Sequence, residues 1–388
     1  MNSTKLLIIL FLLIQPLSVA MTNNLNIDNN RLVLLPVKSD PSISLKIWFK
    51  VGSQNDPVGK EGLAALTAQM LTEGGTTNNS YDQILDKLFP LAASYQADLS
   101  TEMTVFEGRT HKDNLDVYYS LFVDQLLNPN FKEEDFNRLK NNLLNYLNTT
   151  LKYSSDEELG KAILYNEIFD GTRYAHVLQG TISGLNNLTI DDVKNFYKKY
   201  FNRNNFVIGV GGGYDEKLVK KLWTDLQKLP EGEERKVEVP SPKKIEGLNV
   251  TIVDKNTNAT AISFGFPINI LRNHSDWYAL ALANSWFGEH RNSSSHLYQV
   301  IREQRGLNYG DYSYIENFPL AGRRTKPPTN VSRRQQIFEV WIRPVPNDAK
   351  HFTLRAAVRE LEKIVENGLS QDAFDQTRKF LQKYVLHY

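Results

Sequence analysis

Gly62-Leu63-Ala64-Ala65-Leu66-Thr67-Ala68-Gln69-Met70-Leu71-Thr72-Glu73-Gly74-Gly75-Thr76 is the stretch on which the fold turns. Leu63, Leu66 and Met70 recur at helical spacing, which predicts a helix over Gly62–Glu73. A Gly/Pro loop, Gly52–Glu61, precedes it. Before that loop Ile43, Leu45, Ile47, Phe49 and Val51 share one parity, the mark of a strand with one buried face. Downstream, Ser80–Phe89 reads as a second helix and Ala93–Leu99 with Glu102–Thr110 as a hairpin. Asp113–Leu127, Glu133–Leu151 and Asp156–Phe169 read as long helices, the last closed by Gly171. Thr189 caps a helix running to Tyr200, Asn205–Gly211 is a short apolar strand, and Tyr214–Leu229 is helical again. The Gly211-Gly212-Gly213 triplet lacks the spacing of a phosphate-binding loop and reads as a strand-to-helix turn.

Pro230–Glu246 holds Pro230, Pro240 and Pro242 among many charges, so 230–247 is expected to be a linker. The order of elements then begins again. Val250–Val253 and Ile262–Phe266 read as strands, Asp276–Phe287 and Ser294–Gln304 as helices, and Tyr309–Glu316 and Gln336–Ile342 as strands. Ala349–Glu366 is a long amphipathic helix closed by Gly368, and Ser370 starts another. Both halves read strand, helix, helix, strand, strand, long helix, long helix. A duplicated unit of the α+β class accounts for this, each half a mainly antiparallel sheet with helices packed on one face. The expected domains are 21–229 and 248–388. Phe374, Thr377, Leu381, Tyr384 and Tyr388 keep their helical spacing to the last residue, so the second half is expected to be truncated.

Composition removes several classes of function. With 41% hydrophobic and 23% charged residues, the 388-residue chain is an ordinary globular one. Lys+Arg 45 against Asp+Glu 44 argues against a dedicated nucleic-acid binder. Absence of cysteine excludes a disulfide framework, a thiolate zinc site and a cysteine nucleophile. Met1–Ala20 carries Lys5, an apolar run from Leu6 to Ile14 and the small-x-small pattern Ser18-Val19-Ala20. This predicts a secretory signal peptide cut after Ala20 and a periplasmic or secreted mature chain. The apolar run falls short of the roughly 20 residues a bilayer span needs, and no cysteine is present to take a lipid, so no membrane anchor is expected.

The opening stretch resembles the zinc helix of the pitrilysin/insulinase metallopeptidases, whose inverted motif is H-x-x-E-H in a frame close to G-x-A-H-x-x-E-H-M-x-x-x-G-T. Gly62, Ala64, Met70 and the Gly75-Thr76 ending supply the frame. The Gly52-Ser53-x-Asn55-Asp56-Pro57 loop, Gly180-Thr181 before Leu188-Thr189, the Val207–Gly211 strand and the Leu297–Tyr309 segment with I-R-E-x-R-G-L-x-Y are similar too. Phe287-Gly288-Glu289-His290-Arg291 and Arg343-Pro344-Val345 look like a secreted bacterial branch. In that family two His at i and i+4 bind zinc, and the Glu between them polarises the bound water. Here those positions are Ala65, Ala68 and Gln69, and no Asp or Glu occurs from Leu139 to Ser155, where the family's remaining ligand would lie. All four positions are lost together, so neither zinc nor intrinsic proteolysis is expected. Glu289 and His290 are adjacent and read as a polar loop between two helices; His111, His176 and His351 are isolated in sequence.

The resemblance also implies a use for Arg302 and Tyr309. In the family an Arg and a Tyr of the second half face the zinc helix across a polar chamber, hold the substrate backbone and stabilise the developing oxyanion. Arg305, beside Gly306, reads instead as a helix C-terminal cation. Two-chain members of the family divide labour between an active and a complementary subunit. The resemblance therefore implies a non-catalytic homologue that binds peptide or unfolded protein and serves an active zinc-peptidase subunit. A stand-alone peptide-binding scaffold and a truncated remnant of a metallopeptidase are the alternatives.

Overall fold

The computed structural model describes residues 27–236, 238–318, 333–384 and 386. The signal-peptide reading, Met1–Ala20, lies outside them. The first unit comprises β1 (Leu32–Pro36), β2 (Ser42–Phe49), α1 (Leu63–Glu73), α2 (Tyr81–Leu88), β3 (Ser94–Leu99), β4 (Thr104–His111) and α3 (Leu115–Leu127). It continues with α4 (Glu133–Asn145), a π-helical turn (Tyr146–Ser154), α5 (Asp156–Phe169), α6 (Ile182–Asn186), α7 (Ile190–Tyr200), β5 (Phe206–Gly212) and α8 (Glu216–Leu226). The second holds β6 (Ala259–Ile268), α9 (Trp277–Gly288), a π-helical turn (Tyr298–Glu303), β7 (Asp311–Tyr314), β8 (Gln336–Pro346), α10 (Lys350–Asn367) and α11 (Gln371–Tyr384).

Period-two alternation builds the first sheet. Ile43, Leu45, Ile47 and Phe49 of β2 are buried, while Ser44, Lys46 and Trp48 take the other face. The strand order is β1-β5-β2-β4-β3; only β1 and β5 run parallel. Leu66 and Met70 of α1, Phe122 and Leu126 of α3, Leu139 of α4, Phe196 of α7 and Leu222 of α8 complete one apolar core with the buried face of β2. The second sheet is β6-β8-β7, all antiparallel. Its core gathers Phe287 of α9, Leu297, Ile301, Val340 and Ile342 of β8, and Ala357 of α10. The α+β class and the two related sheets follow the sequence reading.

Local pattern fails in three places. β1 is a five-residue strand whose partner lies about 175 positions downstream, so no short-range signal announces it. The Val250–Val253 stretch, expected as a strand, is in no strand; a strand needs a ladder partner as well as a pattern. The helix expected to run to Leu151 is α-helical only to Asn145 and then widens into the π turn. Furthermore, α5 belongs to the first unit in sequence but lies across the second sheet. Gly160 permits the approach, since a Cβ there would stand 3.1 Å from Ser263 Oγ. The Lys161 ammonium sits 3.6 Å from the Trp341 ring centroid, and Tyr165 Oη donates to the fully buried Glu339 at 3.0 Å.

Gly180 fixes the loop that meets the entry to α1. It has φ +90°, and any Cβ would run into the Glu61 carbonyl and the Gly62 Cα. Left-handed strain and overpacking act together, so Gly180→Ala is expected to cost about 3 kcal/mol or more. A denaturant midpoint within error of the parent chain would contradict this.

Candidate functional site

The N-terminus of α1 is held by Asp56. Its buried carboxylate accepts the Gly62 and Ala64 amides at 2.7 Å each, satisfying donors that the first helical turn leaves without partners. Burial pushes its carboxyl up to about 7. His176 Nε2 lies 3.8 Å away, and Arg173 donates to the Asp56 carbonyl at 2.8 Å. One turn further on, Ala65 is buried within the apolar core and Ala68 is buried as well. Gln69 is partly buried, and its Oε1 is a buried acceptor without a hydrogen-bond partner.

These residues do not fit a zinc ion. Two methyl groups and one neutral amide oxygen replace the imidazoles and the base. Opposite α1, α4 from Leu139 onward contributes buried Leu139 and Leu143, followed by Leu147 in the π turn, and the stretch from Leu139 to Ser155 holds no carboxylate; the acidic residues of α4, Glu133, Glu134 and Asp135, lie in its first turn. Among the described residues no three His, Asp or Glu side chains lie close enough to hold a metal. What α1 does have beside it is β3, on which it packs and which ends the sheet.

Arg302 and Tyr309 come together in the second unit. The Arg302 guanidinium lies over the Tyr298 ring at 4.7 Å and the Tyr309 ring at 5.8 Å, with Tyr309 largely exposed. Sequence reasoning missed their neighbour Asp311, which is fully buried. One of its oxygens accepts from Asn308 Nδ2 at 2.7 Å; the other has no hydrogen-bond partner. Burial pushes the Asp311 carboxyl up to about 7, against the opposing pull of the Asn308 hydrogen bond and the Arg302 charge. An aspartate two residues beyond Tyr309 was the available signal. Arg305 donates to the Val300 carbonyl, as a cation at a helix C-terminus does.

Glu289 and His290 lie, as read, in the loop between α9 and the next helical turn, but both side chains are buried. Glu289 accepts from Ser285 Oγ at 2.6 Å. His290 Nδ1 is 2.6 Å from Tyr314 Oη, and its ring packs on Tyr312 and Phe318. Tyr312 and Tyr314 of β7, with Phe318, enclose the His290 ring, which two adjacent polar residues in a sequence do not disclose.

Comparison with known proteins places both units. Residues 187–381 match the family model described as the peptidase M16 inactive domain, and residues 32–181 match insulinase, peptidase family M16. The chain is 26% identical over 349 residues to the non-peptidase homolog YmxG of Helicobacter pylori, covering 87% of this chain and 73% of that one. It is 22% identical over 352 residues to an uncharacterized zinc protease of Streptomyces coelicolor, covering 88% and 71%. Among solved structures, a peptidase M16 inactive domain from Pseudomonas fluorescens superposes with a TM-score of 0.77 at 22% identity, covering 90% of this chain and 80% of that one.

Proposed function

Because this chain belongs to the insulinase family of peptidases, M16, and carries Ala65 and Gln69 where the family's chemistry needs zinc ligands and Ala68 where it needs a base, we propose that it is a non-catalytic member that holds extended peptide for an active subunit. One observation carries the reading. The helix that would hold zinc is intact as a scaffold, yet its reactive positions are Ala65, Ala68 and Gln69, while the edge strand β3 beside it is retained. An edge strand offers a row of backbone donors and acceptors to an extended peptide, independent of any metal. The apolar run and small-x-small pattern before Met21 support a place outside the cytoplasm.

Purified chain is expected to bind an unfolded, fluorescently labelled peptide in an anisotropy titration, to leave it uncut, and to carry no stoichiometric zinc by metal analysis. About one tightly held zinc per chain with chelator-sensitive cleavage would overturn the proposal. Failure to bind any extended peptide would remove the peptide-holding role.

A further inference from the structure

Residues 170–181, which join α5 to α6, tie three parts of the molecule together. Arg173 donates to the Asp56 carbonyl at 2.8 Å and His176 faces the Asp56 carboxylate, so the loop holds the segment that starts α1. Tyr174 Oη donates to Glu102, which is buried in the turn between β3 and β4. The same carboxylate accepts the Arg334 backbone N–H at 2.6 Å and Arg334 Nε at 3.2 Å, both from the second unit. Beside it Ile168, Phe169 and Tyr174 form one buried cluster with Ile337 of β8.

The geometry of the Asp56–His176 contact makes it depend on a proton. His176 Nδ1 lies 2.9 Å from the Val177 carbonyl, which can only accept, so that nitrogen carries a hydrogen. Nε2 faces Asp56 Oδ2 at 3.8 Å, and the Asp56 side chain is shut off from solvent. With one proton on the pair, a charge or a donor meets an acceptor across this gap. Without it, a ring lone pair and a carboxylate oxygen face each other where no water can relieve them. The charges that face the pair have settled partners. Glu61, at the entry to α1, accepts from the Gly59 amide at 2.8 Å and from Thr181 Oγ1 at 3.3 Å, and its charge favours a proton on both Asp56 and His176. Arg173 opposes a proton on Asp56, and Lys60 is paired with Asp192 of α7. Burial, the largest influence on Asp56, brings its carboxyl up to about 7, so the proton exchanges near neutrality.

We propose that Asp56 and His176 form a proton-dependent clasp between the entry of α1 and the junction of the two units. While the pair holds its proton, residues 170–181 stay against α1 and keep Tyr174 on Glu102 and Ile337. As pH rises through neutrality the proton leaves, the loop is released, and the β3–β4 turn and the β8 contact loosen with it. The sign follows from linkage: the folded pair keeps a proton that an unfolded carboxyl gives up at lower pH, so the link is present on the acid side and lost as pH rises. The inference goes beyond the peptide-holding role and does not depend on it, since the clasp lies at the N-terminus of α1 and its readout needs no peptide.

Amide hydrogen exchange on the purified full chain, corrected for the intrinsic rates at each pH, tests the clasp. Between about pH 6 and about pH 8, protection of residues 62–66 and 100–104 is expected to fall about tenfold, while that of α8 stays constant. His176→Gln places a permanent amide donor near the Nε2 position, so it is expected to keep at about pH 8 the protection the parent shows at about pH 6. His176→Leu offers Asp56 no donor at any pH and is expected to show the low protection throughout. Circular dichroism should be native for both variants. A flat profile in the parent chain would overturn the proposal. So would an equal fall in His176→Gln, which would leave Asp56 titrating alone, and so would a parallel loss in α8, which would make the change a global one. Parent-like protection in His176→Leu at about pH 6 would also overturn it.

Discussion

Replacing Arg302 by Ala is expected to lower, by about 10²–10³-fold, the kcat/KM that a cognate active M16 subunit attains in the presence of this chain. The magnitude is that of one lost donor to a developing oxyanion. The geometry supports such a donor: the guanidinium rests on two aromatic rings that pre-orient it, and its ion pair with Glu303 is long, at 3.9 Å. Tyr309→Phe tests the second group, removing one hydroxyl from an exposed ring without disturbing a core. Arg302→Lys keeps the charge but loses the planar fork, so it should recover only part of the gain. Co-purification must remain intact in all three variants, separating catalysis from assembly. Unchanged kinetics in both Arg302→Ala and Tyr309→Phe would return the pair to packing and surface charge.

The legible parts of this molecule are those in which local periodicity and burial coincide. Ile43 to Phe49 could be read as a strand because alternation and burial agree, and Leu63, Leu66 and Met70 disclosed α1 for the same reason. The replacement of the family's zinc-motif side chains by Ala65, Ala68 and Gln69 was legible too, since ligand identity is a property of single side chains. Contacts made over long separations were not. β1 finds β5 across most of the first unit, and α5 leaves its own unit to cover the second sheet. The Leu248–Val253 segment shows the converse, a strand pattern without a ladder. Buried titratable groups were hidden for a related reason. Asp311 and His290 are ordinary residues in sequence, and only the sheet that folds over them removes their water.

His290 makes acid sensitivity of the second unit an expected result. Burial of the ring, reinforced by the charges of Arg291, Lys161 and Arg343, pulls its pKa down to about 4 from the usual 6.5. The folded state thus binds fewer protons than the unfolded state between these values, and stability from this group is full above about pH 6.5 and falls as pH drops towards 4. The span corresponds to at most about 3 kcal/mol; allowing for screening at the wetter edge of the ring, about 2 kcal/mol is expected. Asp56 and Asp311, both pushed up to about 7, act in the opposite sense, favouring the fold as pH falls through 7. A single pH profile would therefore mix the signs. The difference between the parent chain and His290→Gln isolates the histidine, because Gln can still accept from Tyr314 Oη yet does not titrate. The parent should lose about 2 kcal/mol relative to the variant between pH 7 and 4.5 in urea titrations, and the imidazole resonance should titrate well below 6. Parallel profiles for the two chains, with an imidazole titrating near 6.5, would show that the ring is solvated and that the aromatic packing around it does not exclude water.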